Sequence, residues 1–167
     1  MLNWLWLSVL VIGLDQISKQ LVESSLLVYE TIPVTGFFNL TLAYNEGAAF
    51  SFLSDQGGWQ RWLFAALAAG VSLLLAVWLA KLQTRERWVA IAFSLIIGGA
   101  IGNLIDRLLF GHVIDFLDFH YGEWHWPAFN IADSAITIGV ALLLYDGFFP
   151  GRGSQDDLSK SAGKGKT

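Results

Sequence analysis

Residues 88–110 read WVAIAFSLIIGGAIGNLIDRLLF. From Trp88 to Ile105 no side chain is charged. A helix of this length, rising about 1.5 Å per residue, crosses the roughly 30 Å hydrocarbon layer of a bilayer. Gly98, Gly99 and Gly102 give it a face of small residues, and the Gly98 to Gly102 spacing lets a second transmembrane helix approach closely. Toward its far end Asn103 and Arg107 stand one turn apart on a shared face. The stretch therefore predicts a membrane span that carries polar groups.

Three more apolar stretches accompany it, so spans are expected at about residues 3–22, 62–80, 88–110 and 129–149. Composition agrees: 54% of the 167 residues are hydrophobic and 14% charged, too apolar for an ordinary water-soluble domain. The expected fold is a membrane all-α protein with a small β element, residues 1–149 forming one domain. The first span lacks the basic flank and small-residue cleavage site of an excised signal, and is read as a permanent helix.

Four spans put both termini on one side. Lys81, Arg85 and Arg87 fill the loop between spans two and three, and Arg152, Lys160, Lys164 and Lys166 lie in the tail, so that side is expected to be cytoplasmic. Lys19 and Arg61 are expected at span edges. Segments 23–61 and 111–127 then face outward, while 150–167, rich in Gly, Ser, Lys and Asp, is expected to be a disordered tail. Trp59, Trp62, Trp78, Trp88, Trp124 and Trp126 fall near span ends, as an interfacial aromatic belt requires. Alternation from Asn39 to Asn45 predicts a strand, and with turns at Gly36, Gly47, Gly57 and Gly58 a small outer sheet is expected.

The net charge of −4, without a basic block before the tail, excludes a nucleic-acid partner. Cysteine is absent, which removes thiol nucleophiles, disulfides and thiolate metal sites. His112, His120 and His125 match no metal-binding spacing, and no GxSxG elbow or HExxH helix occurs. Neither a metal nor a cofactor is expected.

Two carboxyls stand out. Asp115 follows span three and Asp133 lies within span four, so one outer loop joins them and they face the same compartment. If helix four begins near Pro127, Asp133 sits about one and a half turns in, roughly 9 Å along the axis. An ionisable group at such depth is costly unless paired, wetted or neutral, which makes function its default meaning. Two carboxyls brought together at low dielectric tend to share one proton. The ionised member can take a proton from water attacking a carbonyl, while the protonated one stabilises the oxyanion and assists the leaving amine. The plainer alternative is that Asp115 ends a helix and Asp133 pairs with a helix neighbour.

The supporting residues also have two readings each. Arg107 either holds a substrate backbone or tempers the carboxyl charge, or else snorkels to the interface or pairs with Asp106. Asn130, three residues before Asp133, is placed to donate to its carboxylate, and Ala132 leaves room for backbone approach. Asp15, with Ser18 and Lys19, reads as a local cap or pair with a structural role. Asn45 suits a turn, a role compatible with substrate contact.

Five ordered blocks, DQISK at 15–19, NEGAAF at 45–50, GGAIGNLIDR at 98–107, VIDF at 113–116 and FNIAD at 129–133, resemble those of lipoprotein signal peptidase, or signal peptidase II. This is an aspartic peptidase family of bacterial inner membranes. The resemblance implies that Asp115 and Asp133 are the catalytic dyad, and that Asn45, Asn103, Arg107 and Asn130 line or order the site. It implies that Asp15 is structural and the outer sheet an extracytoplasmic cradle. The implied substrate is a prolipoprotein whose cysteine carries diacylglycerol, cut on that cysteine's amino side; membrane lipid is an expected partner, and the chain is separately expected to be a monomer. The active site would face the periplasm, and the antibiotic globomycin would inhibit. A small proton-coupled transporter or channel, with Asp15, Asp106, Asp115 and Asp133 as a relay, is the alternative from another class; the clustering of these carboxyls toward the outer half argues against it. A membrane subunit without chemistry leaves the closely spaced Asp115 and Asp133 unexplained.

Overall fold

Four helices form where hydropathy places them: α1 (Leu5–Ser25), entered through a 3₁₀ turn at Leu2–Trp4, then α2 (Trp59–Lys81), α3 (Arg87–Leu109) and α4 (Ile131–Phe148). A computed structural model describes residues 1–47 and 58–148. Each helix is long and apolar enough to cross a membrane. The tail at 150–167, Phe149, Gly57 and the Ala48-Ala49-Phe50 part of one motif lie outside the described residues.

α3 is the central helix, packed against all three others and far more buried than they are. Its glycines explain why. A methyl group on Gly98 would run into Ser8 and Val11 of α1. One on Gly102 would meet Asp15, and one on Gly99 would collide with the Ala132 carbonyl of α4. The small face predicted for close approach thus serves two neighbours at once. Gly139 of α4 answers it from the other side, lying against Ile96 and Ala92. In lipid, where apolar burial between helices gains little, such backbone approach is what holds a bundle. α2 joins through Leu75 and Leu79 against Ala90, Phe93, Ile96 and Ile97 of α3. The outward faces remain apolar, for example Val9, Ile17, Leu67, Leu73, Ile138 and Leu144. Trp59, Trp62, Trp78, Trp88, Trp124 and Trp126 are all exposed.

The outer segments build a four-stranded antiparallel sheet in the order β1 (Thr31–Thr35), β2 (Phe38–Asn45), β3 (Val113–Tyr121) and β4 (Trp124–His125). Pro33 lies in β1, an edge strand, where its missing N–H breaks no inner ladder. Gly122, at φ +61°, turns β3 into β4. Gly111, at φ +89°, ends α3 in the left-handed region and sends the chain into β3.

Two expectations change here. Segment 111–127, read as a loop, contains the longest strand, because its Val113–Tyr121 stretch is paired along β2. In β2 the burial does not follow the simple alternation: Asn39 and Thr41 are buried while Leu40 is only partly so. The register shifts between Leu40 and Ala43, and Asn39 is buried because its amide donates to Asp118 at 2.8 Å.

Candidate active site

Helix four starts four residues later than Pro127. Phe129 is still extended, exchanging backbone hydrogen bonds with Leu117 of β3, and Asn130 caps the helix. The Asn130 side-chain oxygen accepts the Asp133 backbone N–H at 2.9 Å, and Asp133 Oδ2 accepts the Asn130 N–H at 3.3 Å. This is a reciprocal capping box, with an aspartate where a glutamate is more usual. Asp133 therefore sits in the first turn of α4, at the helix mouth, rather than one and a half turns inside. An anion there is also favoured by the positive end of the helix dipole.

Asp115 stands on β3 opposite Ala43 of β2, and is 2% exposed. Its carboxylate accepts Asn45 Nδ2 at 3.1 Å and Asn130 Nδ2 at 2.7 Å. Asn130 was expected to donate its amide to Asp133; the structure turns that amide to Asp115 instead, because the side-chain oxygen is committed to capping the helix. Asp133 takes its amide donor from Asn103, whose Nδ2 lies 2.8 Å from Asp133 Oδ1. Asn103 and Asn130 are themselves joined at 3.2 Å. Strand and helix thus deliver one carboxyl each to a pair of linked asparagines.

Burial pushes the Asp115 carboxyl up to about 7, and the Asp133 charge adds to this. Hydrogen bonds from Asn45 and Asn130 and the charge of Lys19 pull the other way. A carboxyl in that range holds or releases a proton near neutrality, as general acid–base work requires.

Both carboxyls line a cavity of about 610 Å³ together with Asn45, Asn103 and Arg107, extended along Trp126–Phe129 and the outer face of α4. Arg107 neither snorkels away nor pairs with Asp106. Its guanidinium donates to the carbonyls of Gly47 at 3.0 Å and Asn103 at 3.3 Å, with Phe64 beneath it at 5.4 Å. It therefore tethers the end of β2 to α3 while facing the cavity. The side-chain oxygen of Asn45 accepts the Gly47 N–H at 3.0 Å, the expected turn, while its amide reaches Asp115.

Beneath this layer the expected local pair of Asp15 and Lys19 forms, but far deeper than a span edge. Lys19 is 1% exposed, not a span-edge cation, and its ammonium touches Asp15 and Asp106 at 2.8 Å each. Asp15 is more than a local pair, since its other oxygen accepts the Ala132 N–H at 2.9 Å. Gln16, not singled out from the sequence, donates to Asp106 at 2.7 Å. The four-residue spacing of Asp15 and Lys19 was the available signal, for it puts both on one helix face. Arg61 does lie at a helix end, donating to the Leu108 carbonyl that closes α3.

The histidines do not converge. His112 packs on Tyr44, whereas His120 and His125 stack on each other by the β3–β4 turn. His125 pairs with Asp118 at 2.9 Å. Burial alone would raise Asp118, but hydrogen bonds from Asn39 and His125 outweigh it and hold its carboxyl below the ordinary range. Among the described residues, no three His, Asp or Glu side chains gather as a metal ion would need.

Comparison with known proteins agrees with this architecture. The sequence profile described as signal peptidase (SPase) II matches residues 7–149. A lipoprotein signal peptidase of Aeromonas hydrophila is 58% identical over 148 residues, covering 88% of this chain and 89% of the relative. The one from Yersinia enterocolitica is 55% identical over 147 residues, covering 88% and 87%. A bacterial membrane enzyme solved by the in meso method superposes with a TM-score of 0.77 at 33% identity, covering 87% of this chain and 89% of that one.

Proposed function

Because the chain belongs to the signal peptidase II family, a group of membrane peptidases that remove signal peptides from lipoprotein precursors, we propose that Asp115 and Asp133 are its catalytic dyad. The observation that carries this is the shared asparagine pair: Asn130 holds Asp115 and Asn103 holds Asp133 at the wall of one cavity. Two carboxyls so placed share a proton. The ionised member draws a proton from a water as that water attacks the scissile carbonyl. The protonated member donates to the developing oxyanion and then to the departing amine. Neither a covalent intermediate nor a cofactor enters these steps.

Asn103 and Asn130 keep the carboxyls in register, and Arg107, anchored to the Gly47 carbonyl, offers a fixed positive charge beside them. The capped start of α4 puts the chemistry at the outer membrane interface, where a lipid-anchored cysteine would lie and its acyl chains could stay in the bilayer. The substrate is accordingly a diacylglyceryl-modified prolipoprotein, cut on the amino side of the modified cysteine. Lys81, Arg85 and Arg87 mark the α2–α3 end as cytoplasmic. This gives an inner-membrane protein with cytoplasmic termini, a periplasmic-facing site and sensitivity to globomycin.

The test is processing of a purified precursor, lipidated or not, by wild type, Asp115→Asn and Asp133→Asn, with product masses read directly. Cleavage before the cysteine, confined to the lipidated precursor and lost in both variants, is expected. Near wild-type turnover by either variant, or equal cutting of the unlipidated precursor, would refute the assignment.

A further inference from the structure

Lys19 touches neither dyad carboxyl through its own hydrogen bonds, yet each of its partners leads to one of them. Its ammonium has three protons and three acceptors: Asp15 Oδ2 at 2.8 Å, Asp106 Oδ2 at 2.8 Å and Asn103 Oδ1 at 3.0 Å. From Asp15 the next bond is to the N–H of Ala132, the residue before Asp133. From Asp106 it is to the N–H of Ile114, the residue before Asp115, at 3.2 Å. From Asn103 it is to the Asp133 carboxylate itself. Donation to Asn103 Oδ1 by Lys19 and Asn130 also fixes which way that amide faces, leaving Nδ2 for Asp133.

We propose that Lys19 is a positioning residue for the reaction: a single ammonium on α1, acting through three acceptors, sets the place of both dyad carboxyls. The inference rests on the dyad reading above. Asp15, Lys19 and Asp106 are at most 1% exposed, so the charges are held out of water. Replacing such a buried ionic group with apolar packing is often neutral or stabilising, so a specific arrangement is a better reason for keeping it than stability. The arrangement here joins α1, α3, the first turn of α4 and the start of β3, which are the four elements that must agree for the carboxyls to meet. Misplacement of reacting groups by about 1 Å can cost on the order of a hundredfold in rate.

Lys19 also acts through its charge. The charges that reach Asp115 are Asp133 on α4, Arg107 on α3 and Lys19 on α1, while β2 contributes only the neutral Asn45. Lys19 holds the Asp115 proton less tightly bound, so its removal should move the alkaline limb of the pH–rate profile to higher pH.

The experiment compares Lys19→Met, Asp115→Asn and wild type in detergent, on the lipidated precursor across pH. Folded Lys19→Met should keep KM near wild type, lose on the order of a hundredfold in kcat and show the alkaline limb displaced upward. If Lys19→Met cannot be recovered folded, because two carboxylates lose their counter-ion, Lys19→Met/Asp106→Asn keeps the net charge and is judged by the same criteria. A kcat and pH profile that overlay wild type, or a lower kcat with an unmoved profile, overturns the proposal while an inactive Asp115→Asn leaves the dyad standing. An active Asp115→Asn removes both.

Discussion

At the scale of residues, the site is organised by amides more than by charges. Asn130 caps α4 with its oxygen and holds Asp115 with its nitrogen, so a serine there separates the two tasks. Asn130→Ser keeps a good cap but leaves Asp115, Asn103 and the Ile114 carbonyl without their buried amide donor, so stability should fall by about 1–3 kcal/mol. The lost bond to a charged group should lower turnover about tenfold or more. Thermal melting and kcat, measured together, check this; wild-type turnover in the variant would show that Asn130 serves the fold and not the reaction. Asp115, raised to about 7 by burial and by Asp133, sets a second expectation. If the pair must keep one proton, activity should fall as pH rises through about 7 and that proton leaves. A kcat profile level to about pH 9 would contradict it.

At the scale of elements, α3 brings α1 and α4 together over glycine. Gly99→Ala would push a methyl group into the Ala132 carbonyl, beside the turn that carries Asp133, whereas Gly70→Ala on α2 meets nothing within 4 Å. The first should cost about 1–3 kcal/mol and much of the activity, the second almost nothing; denaturation in detergent with parallel turnover checks the pair. These elements differed in how far the sequence revealed them. Apolar length marked all four helices to within a few residues, since a bilayer demands about 20 of them. The start of α4 was misplaced because Pro127 suits a first helical turn, and only the pairing of Phe129 with Leu117 shows that the strand continues past it. β3 was missed for a related reason: VIDFLDFHY has no polar–apolar alternation, as its Asp115 and Asp118 are buried on partners supplied by β2 and α4. Such long-range partners leave no local trace in the sequence.

For the whole molecule, one end of a four-helix bundle carries a sheet, and the carboxyls lie where sheet and bundle meet. The chain has no cysteine, so single cysteines report its orientation cleanly. Glu123→Cys, in the β3–β4 turn, should react with an impermeant maleimide in spheroplasts, and Gln83→Cys, between α2 and α3, only after permeabilisation. The reverse pattern would invert the proposed topology. Asp115 and Asp133 stood out in the chain because ionisable groups at span ends are costly, and Asn45, Asn103, Arg107 and Asn130 were named beside them, but the bonds that join these groups were not legible. Lys19 looked like an interfacial cation because it falls late in an apolar stretch; its real surroundings require Asp106, which is 87 residues away in the chain.

The most direct test of the dyad is a double-mutant cycle on kcat with Asp115→Asn, Asp133→Asn and the double variant, using the lipidated precursor. Groups that share one proton and act as a unit are lost together, so the double variant should be no slower than the slower single one. Losses that multiply, each single variant retaining its own fraction of activity, would show two independent carboxyls and contradict the mechanism.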